Sequence, residues 1–341
     1  MPAILPFAFA SLLPVVLLGL ACCFGGIWAT AAVISITVFS YLLDRMTGDD
    51  WPEPKDQSGH VLSVIIAVMH FAILAGSVWA IALGDHLSLG DKVLIFIGAG
   101  LWFGQVSNSN AHELIHRNGR WARRLGIAVY CSLLFGHHAS THPKVHHVHV
   151  ATDRDPNSAR LGEGFYRFFA RAWRGGFQEG LRAESTARAR AAKVVPAWQH
   201  PFVGYILGAV VTIAVAAVLA GLKGVVILLI IVTYAQVQLF LSDYVQHYGL
   251  RRRIHSDGRA EPIGPQHSWN APHWYSGAMM LNAPRHSDHH IHPTRAFPTL
   301  ELSKETMPIL PYPLPVMACI ALVPNLWRRL MNPRVTKWMQ Q

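Results

Sequence analysis

Long apolar runs set the rhythm of this chain, and short polar or glycine-containing turns punctuate them. A helix needs about 17–25 apolar residues to cross a bilayer. Six segments meet that requirement and are predicted as helices: residues 4–20, 27–43, 61–83, 93–116, 202–222 and 225–247. They group as three hairpins that turn at Gly25-Gly26, at "GDHLSLGD" (84–91) and at "LKG" (222–224). Leu125–Phe135 is apolar but too short to span, which suits a re-entrant or interfacial helix. Prolines interrupt 309–324, a stretch expected at the membrane interface or against the bundle. The pattern predicts an all-α, polytopic membrane protein of about six spans, folded as one domain over residues 1–341.

Composition supports this. Of 341 residues, 52% are hydrophobic and 14% charged, against about 25% charged in soluble domains. The net charge of +10 is distributed unevenly. With the three tight turns on one side, only Lys92 and Lys223 of the 29 basic residues lie there. The other 27 fall in 44–60, 117–200 and 248–341. Lysine and arginine mark the cytoplasmic side, so both termini and the polar segments 112–160 and 247–300 are expected on the cytoplasmic face of an inner (cell) membrane. Membrane topology thus explains the charge without a nucleic-acid partner. Four cysteines show no C-x-x-C pair, which excludes a disulfide framework, a zinc ribbon and a rubredoxin-type iron site. An electron-carrier domain, where one is needed, belongs to another chain. The first apolar stretch has no basic residue before it and is expected to be retained rather than cleaved.

Histidine changes the picture. Sixteen of the 20 fall in two windows, 112–149 and 247–292. "HELIH" places His112 and His116 at i,i+4 on one helical face. Alone this motif suggests a zinc protease with Glu113 as base. "HPKVHH" adds His142 and His146 on one face, with His147 about 100° away. "DYVQHYGL" adds His247, and "RHSDHH" adds His286, His289 and His290, expected on one side of a helix. Counting residues from Val93 and from Val225 brings His112 and His247 to the same membrane depth. A catalytic zinc takes three protein ligands, so nine imidazoles suit two ions. Imidazole admits zinc, copper, iron or nickel. The Glu-x-x-His pairs of soluble di-iron bundles are missing, and an all-histidine pair of irons is the composition favoured. Ligating rings need hydrogen-bond acceptors, a role expected of Glu113, Asp153, Asp155, Asp243 and Asp288. A metal transporter would place its histidines within the spans; here they cluster at one face.

Four stretches in order, HELIHR, HPKVHHVHVATDRDPNSARLGEGFYRF, DYVQHYGL and HSWNAPH…RHSDHHIHPTRAFPTL, resemble the membrane-bound alkane 1-monooxygenases (alkane omega-hydroxylases). The xylene monooxygenase hydroxylase subunit and the membrane fatty-acid desaturases and hydroxylases are related. The likeness runs from "YLLDRMTGDDWPEP" to "PNLWRRLMNPRVTKW". It implies a non-haem di-iron site at the cytoplasmic face, ligated by His112, His116, His142, His146, His147, His247, His286, His289 and His290. His137 and His273 also fall at family-like positions, outside the ligand boxes, and His138, His149 and His292 are neighbours without an assigned role. The implied reaction inserts one atom of O2 into a terminal C–H bond of an alkane drawn from membrane lipid. Electrons would come from NAD(P)H through a reductase and rubredoxin. Thr141, Val145, Asp243 and Gln246 depart from the family pattern beside the ligands. Desaturation, or hydroxylation of a xylene methyl group, is the alternative outcome of such a site.

Overall fold

The computed structural model describes residues 4–48, 59–191 and 196–340. Residues 49–54 of the YLLDRMTGDDWPEP stretch lie outside these. Among the described residues every regular element is helical, apart from two isolated bridges, Ile254 with Ala260 and Asn270 with Ile309.

Helix α1 (Leu5–Phe24) turns into α2 (Ile27–Ile36) through Gly25 and Gly26, at φ 61° and 58°. Glycine suits that left-handed backbone because it has no Cβ to clash. The second run bends at Thr37, where α2 and α3 (Val38–Thr47) meet at 41°. The next hairpin joins α4 (His60–Leu83) to α5 (Leu89–Trp102). A capping box starts α5: Asp91 N–H donates to Ser88 Oγ, and the Ser88 N–H donates to the Asp91 carboxylate. The other carboxylate oxygen accepts the Gly26 N–H at 2.7 Å, which ties these two turns together at one end of the bundle.

The fourth predicted run begins earlier than expected, at Leu89, and is not uniformly α-helical. After α5 comes a π-helical turn, Phe103–Ser107, and then α6 (Asn108–His116), which carries HELIH. Short α7 (Arg120–Ser132) returns against α6 and takes in the arginines ahead of the predicted Leu125–Phe135 segment. Gly126 allows this approach. A Cβ there would stand 2.9 Å from both the Ala111 carbonyl oxygen and Leu114 Cβ.

The histidine segment holds two short turns, α8 (His138–Thr141) and α9 (His147–His149), and beyond it α10 (Phe165–Ala189) buries Phe165, Phe168, Ala172, Gly176, Gly180 and Glu184 along one stripe. The last long element, α11 (Pro201–Gln246), runs 46 residues and is broken at Ala220 and Gly221. The turn expected at 222–224 is therefore displaced. Gly221, at φ 60°, makes the left-handed step, and Leu222, Lys223 and Gly224 already belong to the second half of α11. By length and composition α1, α4, the continuous run Leu89–His116 and α11 are able to cross a membrane, and the bent α2–α3 pair can add a fifth crossing. After the six-residue helices α12 (Trp274–Met279) and α13 (His286–Ile291), the proline-rich 309–324 stretch supplies α14 (Leu314–Ala321), packed on α11, followed by α15 (Pro324–Met339).

The contact at Gly126 generates a prediction. Gly126→Val forces α7 off the backbone of α6, and overpacking of this kind costs about 1–3 kcal/mol. Thermal unfolding of the detergent-solubilised protein should show a lower midpoint; an unchanged midpoint would mean that α7 does not seat on α6 as described.

Candidate metal centre

Five elements bring the histidines together. His112 and His116 come from α6, His142 and His146 from a second π-helical turn (142–146), and His147 from the single turn that follows it. His247 ends α11, and His286, His289 and His290 lie on a six-residue helix, His286–Ile291. All nine fall into two groups, each with its ligand atoms within 4.8 Å of one another. One holds His112, His116, His142, His147 and His289; the other holds His146, His247, His286 and His290. Neither includes a carboxylate.

This partition corrects two expectations. His142 and His146, paired from α-helical spacing, go to different groups, and His142 pairs with His147 instead. The π turn is the reason: the His147 N–H bonds back to the His142 carbonyl, so the turn closes on the fifth residue. His286, His289 and His290 were expected on one side. His286 and His290 (i,i+4) stay together, while His289, about 100° from His290 around the axis, faces the other group. The two groups adjoin, with the His147 and His290 rings 4.5 Å apart.

The ring nitrogens converge. His142 Nε2 is 2.6 Å from His112 Nε2 and 2.9 Å from His147 Nε2, and His289 Nε2 is 3.1 Å from His147 Nε2. In the second group His286 Nε2 is 2.9 Å from His247 Nε2 and 3.1 Å from His290 Nε2. A neutral imidazole has one N–H to give, so such a knot cannot be satisfied internally. The buried Nε2 atoms of His116 and His146 have no hydrogen-bond partner. Nitrogens held about 2.0–2.1 Å from one ion stand at separations of this order. The residues present fit a metal ion in each group.

Electrostatics agree. Burial, and then the neighbouring rings, hold His142, His147, His289 and His290 well below the usual imidazole value, so they stay neutral as ligands must. His146 goes the other way: burial depresses it, but the Asp155 carboxylate overrides this and raises it. Asp155 Oδ2 lies 2.9 Å from His146 Nδ1, which turns Nε2 inward to its group. Asp155 is itself held by the Asn157 N–H and the Ser158 hydroxyl. Asp243 accepts from Asn157 Nδ2 at 2.6 Å and adds negative charge near His146.

The other acceptors predicted from sequence have different partners. Glu113 pairs with Arg117 at 2.6 Å, Asp153 faces solvent between Arg160 and Arg251, and Asp288 binds His292 and Arg295. His137 packs among Phe135, Phe177 and Phe202, and His273 precedes the helix Trp274–Met279; both stand outside the two groups. His138 stacks on Phe135, 5.0 Å from the His142 ring. Thr141, which departs from the family pattern, donates to the Gly176 carbonyl of α10 at 2.8 Å. Gln246 donates to the Ala283 carbonyl.

Sequence reasoning missed a clamp on the second π turn. Lys144, between His142 and His146, pairs with buried Glu184 of α10 at 2.6 Å. Ser140 donates to the same carboxylate and also hydrogen-bonds Tyr205 of α11. The signal was present: Glu184 is an acid at the next position of the apolar stripe of α10. His70 was missed too. This buried ring in α4 is held between Ser107 (2.6 Å) at the end of the first π turn and Ser132 (2.7 Å) of α7.

Apolar helices of spanning length that carry two adjoining all-imidazole groups able to hold metal ions are the features of the histidine-box class of membrane proteins. The fatty acid desaturase family model matches residues 92–318. The chain is 32% identical over 306 residues to an alkane 1-monooxygenase of Pseudomonas putida, covering 87% of this chain and 75% of that one. Alkane 1-monooxygenase 1 of Alcanivorax borkumensis is 31% identical over 309 residues, with 87% and 75% covered. The hydroxylase component of xylene/toluene monooxygenase from Pseudomonas putida is 26% identical over 236 residues, 68% and 61% of the two chains. The chain belongs to the fatty acid desaturase family and, within it, to the alkane 1-monooxygenases; it is an oxidoreductase of the hydroxylase type.

Two predictions follow from this geometry. His142 contacts two rings of its group, so His142→Ala should lower bound metal from about two ions per chain towards one, read by elemental analysis; unchanged stoichiometry would remove His142 from the ligand set. The second concerns pH. Rings depressed in the folded state remain near 6.5 when unfolded, so below that value the unfolded chain takes up protons first. The metal-free protein should then lose stability as pH falls through about 6.5, seen as a lower unfolding midpoint at pH 5.5 than at pH 7.5.

Proposed function

We propose that this protein is a non-haem di-iron monooxygenase that hydroxylates the terminal carbon of an alkane, with rubredoxin as electron donor. The convergence of nine imidazoles into two adjoining groups without a carboxylate carries this reading, and the alkane 1-monooxygenase relatives supply the substrate class. The reaction is R–CH3 + O2 + 2e⁻ + 2H⁺ → R–CH2OH + H2O. Iron, when bound, supplies the activation of O2. His112, His116, His142, His147 and His289 hold one ion, and His146, His247, His286 and His290 the other. Asp155 fixes the orientation of the His146 ring, and Asp243 acts through Asn157.

The chain makes six passes, counting the bent α2–α3 pair as one and α11 as two. At about 1.5 Å per residue, 46 residues would run about 69 Å, twice a hydrocarbon core of about 30 Å. The histidine end and both termini face the cytoplasm at the inner membrane, a reading that the distribution of basic residues supports.

The hydrocarbon enters from the bilayer through an apolar cavity of about 420 Å³ between α2–α3, α5, α11 and α14. Ile36, Val38, Tyr41, Leu101, Val237 and Leu241 line it. Gln105, also in its wall, stands on the continuous helix that carries His112. Walls that admit only a chain end would fix the carbon attacked, and an apolar lining keeps water from it.

Rubredoxin, an acidic electron carrier, docks at a basic hollow lined by Arg154, Arg251, Arg252 and Arg259. Val148 and His149, in the same hollow, directly follow His147, and Arg252 donates to the Val148 carbonyl. Charge of this kind steers association and weakens with salt.

One assay tests the reading. Iron-loaded protein in membranes, given rubredoxin, its reductase and NADH, should convert alkanes to primary alcohols, more slowly as salt rises. Benzylic alcohol from xylene alone would favour the xylene-type reaction, and alkenes would favour desaturation. One zinc per chain with no hydroxylation would overturn the proposal.

A further inference from the structure

A second apolar groove, of about 520 Å³, shares no lining residue with the cavity between α2–α3, α5, α11 and α14. Three helices build it, each with one face. From α4 come Phe71, Leu74, Ala75 and Val78; from α7 come Arg124, Ile127, Ala128, Cys131 and Ser132; from α11 come residues between Gly208 and Leu219, with Leu228 beyond the break. These are i,i+3,i+4,i+7 faces, so the groove runs along the helices. No residue of α5 or α6 lines it. Val211 and Val215 are half exposed, so the groove opens outward, to where lipid lies around a membrane bundle.

Its length and its one charge point to an occupant. From Gly208 to Leu219 the wall extends about 16 Å at 1.5 Å per residue, half of a hydrocarbon core of about 30 Å. That is the depth of one leaflet. Arg124 is the charged residue in the lining, and it is the lining residue of α7 nearest the start of that helix, which follows His116 by four positions. Arg120 and Arg123 share its turns, and α7 has no acidic residue. Glu113, the nearest acid in the preceding chain, is bound to Arg117. The Arg124 guanidinium lies 5.2 Å from the ring centre of Trp121, a strongly exposed indole of the kind found at headgroup depth.

We propose that this groove is a binding site for an anionic phospholipid, with an acyl chain along α4, α7 and α11 and the phosphate headgroup on Arg124, assisted by Arg120 and Arg123. The site has a route to the fold around the histidines. Ser132 in its wall hydrogen-bonds His70, and His70 holds Ser107, the residue before α6. An acyl chain packed over Ser132 shields that relay.

Delipidated, metal-free protein offered phosphatidylglycerol or phosphatidylcholine, with bound lipid read by native mass spectrometry, tests the site. The expected result is preferential retention of phosphatidylglycerol. Arg124→Gln should reduce that preference about fivefold, the worth of one arginine beside an anionic lipid, and Val211→Trp should reduce retention of both lipids by filling the groove. Equal retention of the two lipids by the parent protein, or an Arg124→Gln variant with undiminished preference, would overturn the proposal. So would displacement of the lipid by hexadecane, which would make the groove a hydrocarbon path. Because the readout needs neither metal nor turnover, its failure is separate from any failure of the hydroxylase reading.

Discussion

Rings packed nitrogen to nitrogen at one end of an apolar bundle set the terms for the whole fold. Each neutral imidazole brings one donor and one acceptor, yet His142 Nε2 alone lies within 2.9 Å of two other Nε2 atoms. Such an arrangement is costly in a dry interior unless a cation sits among the lone pairs. Bringing nine rings this close falls to the contacts around them, and much of the helical architecture serves this end.

The holding is done by irregular backbone rather than by regular helix. One π turn precedes HELIH, and a second contains His142 and His146. Each is buttressed by side chains from elsewhere: His70 holds the end of the first through Ser107, while Glu184 holds the second through Lys144 and Ser140. π turns are rare in helices and recur at functional sites. Here the second one sends two histidines four residues apart to different groups. The paired groups are thus a product of that turn as much as of the histidines themselves.

Two apolar hollows among the described residues differ in character. The one between α2–α3, α5, α11 and α14 shares Leu101 and Gln105 with the helix that carries HELIH. The other touches neither α5 nor α6 and has an arginine in its wall. Both are apolar, so position on the HELIH helix marks the first as the proposed hydrocarbon path, and a charge for a headgroup marks the second as the proposed lipid site.

Much was legible along the chain. Runs of apolar residues of spanning length announced a helical membrane protein, because lipid leaves a backbone little choice but helix. Histidines at i,i+4 announced metal binding, since that spacing puts two rings on one face. Arginine and lysine gathered at one end. What spacing could not give was the partition of the rings, because α-helical periodicity pairs His142 with His146 and a π turn pairs it with His147. Nor could it assign the supporting carboxylates: Asp155 reaches His146, whereas Glu113 and Asp288, equally close in sequence to ligands, turn to Arg117 and Arg295. The clamp of Glu184 on Lys144 joins residues 40 positions apart. Local sequence determined which residues could bind metal, since helical periodicity is local. Which ring faces which partner depends on contacts between distant helices and on one turn that departs from the α period, and only the tertiary structure decided that.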